Sequence, residues 1–302
     1  IGQHGGVAVV HAEHAGLIAA LEDALVATQR TTIPDYPASR PVETEVEAMR
    51  RALWLANRAG CPLCFAHVSS AAALKLVIEH KTQRLLNANA HPGAYAESCP
   101  KYLLLDDGAY ETLGGKAVVA PPLRSSEDQR ALFESLLSGG VDVLGSDHSP
   151  HALEEKKGTS FLDVRAGVPG AQTFFPVLVS RFLEAASIAG SGSEHSERSR
   201  WHRRRMDPLF ALQRAASHGP ARLFGLYPRK GRIAVGADAD FVLVDPRVAW
   251  SVTQDWLVSN AGFSLYDNWE LKGRAVHTMV RGRWVMRDGE LVRQVGGQYI
   301  PR

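Results

Sequence analysis

The chain has 302 residues, 45% of them hydrophobic and 22% charged, with a formal net charge of +2. That length supports one large domain or two ordinary ones, and the near-neutral charge excludes the strong basic field expected of a nucleic-acid or anionic-membrane binder. No apolar run reaches the roughly 18 residues of a membrane-spanning helix, and three cysteines (Cys61, Cys64, Cys99) exclude a disulfide framework and fit a reducing cytoplasm.

The opening IGQHGGVAVVH has neither the basic region nor the cleavage site of a secretory signal. It starts without Met on what reads as the end of a helix entering a buried strand, so the chain is expected to continue upstream. Residues 6–10 (GVAVV) predict that strand and residues 16–29 a helix, followed by a Pro-containing loop over 31–40. In residues 43–59, Val46, Met49, Ala52, Leu53 and Ala56 recur at helical spacing. PLCFAHVS predicts the next strand, AAALKLVIEH a helix and LLNANA a further strand. Cys61 and Cys64 form a C-x-x-C, but no second pair follows and Cys64 lies in an apolar run, so they read as structural cysteines and not zinc ligands. Residues 126–138 predict a helix and 141–144 a strand.

Continuously apolar strands separated by helices imply a parallel sheet covered on both faces. The repeated strand-then-helix plan suits a TIM-like (β/α) barrel, whose chemistry sits at the C-terminal ends of its strands. The Ser/Gly-rich stretch AGSGSEHSE and the basic run 198–205 (RSRWHRRR) read as a solvated insertion. After about residue 226, KGRIAVGADADFVLVDP, AVHTMVRGRWVMRDGELV and GGQYIPR are short β-runs broken by Gly and Asp turns. Two units are therefore expected: residues 1–225, a partial (β/α) barrel, and residues 226–302, a small β domain.

Three predicted strands end in metal-ligand residue types: VAVVHAEH at His11, CFAHVSS at His67, and VLGSDHSPH at Asp147. One histidine after an apolar strand is usually structural, but two imidazoles and a carboxylate on one face suit Zn²⁺ and similar divalent ions. Asp147 is the candidate for ligand and proton shuttle together, since a metal-held carboxylate can take a proton from water acidified by the cation. His148 is expected in a packing or supporting role, and His151 lies far enough along the loop to reach a substrate. The run Glu154, Glu155, Lys156, Lys157 reads as solvated.

Collinear stretches from about residue 7 to the C-terminus then carry a resemblance. They are VHAEH, SRPVETEVEAMRRALWLANRAGCPLCFAHVSS, AESCPKYLLLD, APPLRSSEDQRAL, GSDHSPHALEEK, GVPGAQ, GPARLFGLYPRKGRIAVGADADFVLVDP and LKGRAVHTMVRGRWVMRDGE. The sequence resembles the cyclic amidohydrolases of the amidohydrolase superfamily: hydantoinase/dihydropyrimidinase, dihydroorotase and allantoinase. The resemblance implies an enzyme that hydrolyses a ring C–N bond at a binuclear centre, expected to be two Zn ions per full-length subunit bridged by a carboxylated lysine. His11 and His67 would be ligands of one metal. Asp147 would be ligand, general base and then the acid that protonates the departing ring nitrogen. The fold implied is the C-terminal part of the barrel followed by the C-terminal half of a small β-sandwich.

The H-x-H pair and the bridging lysine of this family belong upstream of VHAEH and are absent from this chain. As given, the chain is expected to hold at most half of its metal site and to be inactive alone. The partner implied is a small cyclic amide or ureide, with a homo-oligomer (dimer or tetramer) expected by resemblance and neither nucleic acid nor membrane. DHSPH followed by EEK resembles dihydroorotase, where His151 would contact a substrate carboxylate, but Ala120 stands where those enzymes usually have Asn. Ala120, Ala166 and Gly167 would supply the backbone contacts by which hydantoinases and allantoinases hold the ring. LYPRKGRIAVG and GGQYIPR lean towards hydantoinase/dihydropyrimidinase, whereas Ser-Pro-His replaces the Cys-Pro-Phe usual in that group. Allantoinase and dihydroorotase are the alternatives. A non-catalytic dihydropyrimidinase-like scaffold is the alternative of another class, opposed by retention of His11, His67 and Asp147.

Overall fold

The computed structural model describes residues 1–86, 93–190, 206–292 and 296–300. Four short strands, β1 (Ala8–Val10), β2 (Leu63–Phe65), β3 (Ala94–Ser98) and β4 (Val143–Leu144), pair in that order. All three pairings are parallel, with Val9 opposite Cys64, Cys64 opposite Tyr95, and Ser98 opposite Leu144. Helices supply the crossovers that parallel pairing requires. These are α1 (Ala15–Ala27) and α2 (Val42–Ala59), then α3 (Ala71–Leu86), then α4 (Pro100–Leu104) and α5 (Ser126–Leu137). Strands that pair in sequence order wind one way only, as in a TIM-like barrel; a doubly wound sheet would reverse the order.

Local chemistry sets the ends of these helices. Pro41 precedes α2, Glu43 and Glu45 lie in its positive first turn, and Gly60 closes it at φ 60°, a left-handed cap. Ser125 caps α5 by accepting from the Asp128 N–H. One strand differs from expectation. Leu85 and Leu86 end α3, 68% and 79% exposed, and the rest of LLNANA lies outside the described residues. The strand is instead AYAES, whose burial alternates as a polar-apolar sequence dictates.

Downstream, α6 (Ala171–Gly190) precedes the basic run, which lies outside the described residues together with most of the Ser/Gly-rich stretch. An antiparallel sheet follows, of β5 (Phe241–Ser251), β6 (Glu270–Val280), β7 (Arg283–Arg287) and β8 (Glu290–Leu291), consistent with part of a β-sandwich. Its hairpins turn at Arg281-Gly282 and Asp288-Gly289, where both residues of each pair have positive φ, as tight two-residue turns require. Pro246 is accommodated at a register shift between Asp245 and Ala249. KGRIAV forms no strand, with Ile233 and Val235 exposed, and neither does the described part of GGQYIPR.

The core does not stop at the first sheet. Val252, Ala261, Phe263, Leu265, Tyr266 and Leu271 join the cluster that contains Phe65, Leu103 and Leu132. Gln172 donates to the Trp256 carbonyl at 2.6 Å, and Ser180 Oγ accepts from the Lys272 N–H at 3.0 Å. Among the described residues, no helix is long and apolar enough to cross a membrane.

Candidate metal centre

Each of the three proposed ligands follows a parallel strand. His11 directly succeeds β1, His67 lies two residues beyond β2, and Asp147 three beyond β4. His67 and Asp147 adopt φ 41° and 44°, in the left-handed region that costs a side-chain-bearing residue about 1–3 kcal/mol. Two such residues at two strand ends, both metal-ligand types, are the arrangement expected where geometry serves a site.

The structure brings the two imidazoles together: His11 Nδ1 and His67 Nε2 are 3.0 Å apart. On the far side of the His11 ring, Nε2 faces Glu13 Oε2 at 3.2 Å. A carboxylate at Nε2 keeps the proton there and leaves the Nδ1 lone pair directed at the shared space. Burial opposes the charge on Glu13, yet His11 and Arg40 hold its carboxyl below the usual range. Burial pushes His67 down to about 4, outweighing the attraction of Asp147, so its ring is neutral and able to ligate. Its Nδ1 is buried with no hydrogen-bond partner among the described residues.

Behind this pair runs a buried polar network that the sequence did not single out. Arg40 donates to Glu13 at 2.7 Å, and Arg124 donates to the Arg40 carbonyl at 2.5 Å and to Ser69 Oγ at 3.0 Å. Ser69 donates through both N–H and Oγ to Glu45, at 2.8 Å each, and Ser70 Oγ donates to Glu45 at 2.9 Å. VHAEH, SRPVETEVEA, HVSS and PPLRSS thus meet in one connected set. The available signal was Glu45 itself, a charge on the buried face of an amphipathic helix.

Asp147 is held by a residue that was also missed. Lys101 Nζ lies 2.6 Å from Asp147 Oδ2, and the lysine, at the start of α4 just beyond β3, is 2% exposed. Burial opposes ionisation of Asp147, but the Lys101 ammonium keeps its carboxyl below the usual range, with His67 and His11 adding smaller effects. Lys101 therefore ties the end of β3 to that of β4 through an ion pair.

The loop after Asp147 divides. His148 Nδ1 accepts from the Gly170 and Ala171 N–H groups at 3.0 and 3.1 Å, capping α6, so it supports structure. His151 Nε2 is 3.2 Å from the Ala166 carbonyl, which ties it to the segment proposed to bind substrate. Gly167 donates its N–H to the Val118 carbonyl at 3.0 Å, two residues before Ala120. The Glu/Lys run needs correction at one position. Glu154 and Lys157 pair in solvent, but Lys156 is 3% exposed, and its Nζ donates to the carbonyls of Val118, Arg165 and Gly167 at 2.9, 2.6 and 3.0 Å. Three carbonyls replace the water that a solvated ammonium would have. Cys64 and Cys99 are buried and Cys61 half-buried; all three are free thiols.

The donor types fit a divalent cation: two imidazole nitrogens already converge, one with its proton drawn to the far side by a carboxylate and one with a depressed pKa. Among the described residues, no three His, Cys, Asp or Glu side chains close around one point.

Comparison with known proteins places the chain in a family. The amidohydrolase family model matches residues 7–285. An L-hydantoinase of Paenarthrobacter aurescens is 34% identical over 302 residues, covering 99% of this chain and 60% of that protein. An allantoinase of Escherichia coli is 35% identical over 282 residues, covering 93% of this chain and 56% of that protein. The solved L-hydantoinase (dihydropyrimidinase) from Arthrobacter aurescens superposes with a TM-score of 0.82 at 33% identity, over 95% of this chain and 58% of that one. A D-hydantoinase (dihydropyrimidinase) from Thermus sp. gives a TM-score of 0.81 at 27% identity, over 96% and 59%. The chain thus spans less than two thirds of the length of these relatives, whose superfamily is metal-dependent. On a match over most of its residues, this chain belongs to the amidohydrolase family.

Proposed function

We propose that the full-length protein hydrolyses a C–N bond in a small cyclic amide or ureide, with a hydantoinase/dihydropyrimidinase-like substrate preference. The observation that carries this is the convergence of His11 and His67 at 3.0 Å, with Asp147 at the end of β4 on the same edge of the sheet. In this reading His11 and His67 would hold one metal ion, Asp147 would be a further ligand, and the remaining ligands of a two-Zn centre, a carboxylated lysine among them, would come from outside these residues. The metal would polarise the ring carbonyl. Glu13 holds the proton on His11 Nε2, which would leave Nδ1 free to hold a metal ion. Asp147 would take a proton from the water that attacks the ring carbonyl and pass it to the departing ring nitrogen as the C–N bond breaks, while Lys101 holds Oδ2 and leaves Oδ1 for its other tasks.

His151, Ala120, Ala166 and Gly167 form the proposed substrate wall. Gly167 would contribute by its placement, because its N–H is already engaged with Val118 and its carbonyl with Lys156. The division near residue 226, a cytoplasmic location and a dimeric or tetrameric assembly complete the reading. An allantoinase-like preference is the second reading, favoured by the 35% identity to an enzyme of that name.

Ring-opening assays of the full-length protein on hydantoin, dihydrouracil, allantoin and dihydroorotate test it. Hydrolysis of hydantoin or dihydrouracil is expected to be fastest. Fastest turnover of allantoin would move the assignment to the second reading, and no hydrolysis of any ring would remove the enzymatic reading.

A further inference from the structure

Lys156 sits in a run that otherwise faces solvent, yet its side chain turns inward and meets three backbone carbonyls, those of Val118, Arg165 and Gly167. These belong to two segments far apart in sequence: the stretch leading to Ala120, and the 165–168 segment. The segments also touch directly, through the Gly167 N–H on the Val118 carbonyl at 3.0 Å. Packing around the lysine is close. A Cβ at Gly115 would lie 2.3 Å from the Lys156 carbonyl, and one at Gly167, where φ is 137°, would lie 2.6 Å from the Ser149 carbonyl. Val168 accepts from the Ser149 N–H at 3.0 Å, and His151 is 3.2 Å from the Ala166 carbonyl.

We propose that Lys156 is a positioning residue for substrate binding, its ammonium locking the 165–168 segment onto the Val118 segment so that Ala120, Ala166 and His151 face the ring as one wall. This rests on the cyclic-amide reading and adds to it a residue that touches neither the metal ligands nor the substrate. One ammonium has three N–H donors, and here each has a carbonyl. Burial pushes Lys156 down to about 8, which leaves it protonated at neutral pH. Its neighbour Glu155 instead accepts from the Ala152 N–H at 3.0 Å, so the three carbonyls remain the ammonium's partners.

The test is steady-state kinetics and metal content of full-length wild type, Lys156→Met and Lys156→Arg on the ring that wild type opens fastest. Lys156→Met keeps most of the length of the side chain and removes the donors. It is expected to raise KM by about tenfold, with kcat within about threefold of wild type and metal content unchanged, the pattern of lost binding without lost chemistry. Lys156→Arg restores charge and donors in a planar shape and is expected to raise KM only by about threefold. An unchanged KM in Lys156→Met, or activity lost in step with metal, would overturn the positioning role while leaving the enzymatic reading intact. Should Lys156→Met not fold, Lys156→Gln, which lacks the charge and cannot serve all three carbonyls, takes its place, and an unchanged KM there overturns the role. A wild type that opens none of the four rings would overturn the underlying reading and this inference with it.

Discussion

The strand ends of the parallel sheet and the antiparallel sheet near the C-terminus use the same charged residue types in opposite ways. At the strand ends, Glu45 is reached by Ser69, Ser70 and Arg124, Asp147 by Lys101, and three carbonyls by Lys156, and most of these partners lie 24 to 79 residues apart. In the antiparallel part, Asp245 pairs with Arg247 two residues on, in solvent, and Asp238 with the exposed Arg229. A buried charge with distant partners cannot recruit water when one partner is removed, whereas an exposed local pair can. The first region is therefore where single substitutions should be felt.

The comparison breaks most sharply at Asp147. Asp147→Asn keeps the shape and loses the base, and turnover of the full-length protein is expected to fall about 10³-fold with the fold retained. Near-normal activity would remove Asp147 from its role. Glu13→Gln comes next. It preserves the size of the group beside His11 Nε2 but weakens its hold on the proton, and metal affinity, read by competition with a chelator, is expected to drop about tenfold or more. Arg124→Met leaves Glu45 buried beside only hydroxyls and one N–H, and should cost about 3 kcal/mol in denaturant unfolding. Asp245→Ala, at the other extreme, should leave the denaturant midpoint essentially unchanged. A loss for Asp245→Ala matching that for Arg124→Met would erase the distinction between the two regions.

How much of this was legible in the sequence follows the same line. His11, His67 and Asp147 could be placed because each follows a continuously apolar run, and such a run fixes where a parallel strand ends. The strand at 94–98 was misplaced because Leu85 and Leu86 look like a buried run yet finish a helix, while AYAES is polar at every second position. A short apolar stretch has no period by which to tell strand from helix end. The tight turns of the C-terminal hairpins were legible, since Arg-Gly and Asp-Gly carry their backbone preference locally.

Lys101 and Lys156 were not legible, for a different reason. CPKYLLL and LEEKK look alike in charge whether the lysine is wet or buried, and burial is decided by Asp147 in one case and by residues 118 and 165–167 in the other. The contacts that matter most at the strand ends are those that only the fold creates. Glu45 was the exception, marked by its position on the apolar side of α2.

The most direct measurement is elemental analysis of the purified full-length protein, alongside His67→Ala prepared identically. Wild type is expected to carry at least one bound divalent metal per chain, approaching two, with His67→Ala losing most of it. Less than one metal per wild-type chain, or a His67→Ala variant that keeps the full complement, would contradict the assignment of the strand ends as a metal centre.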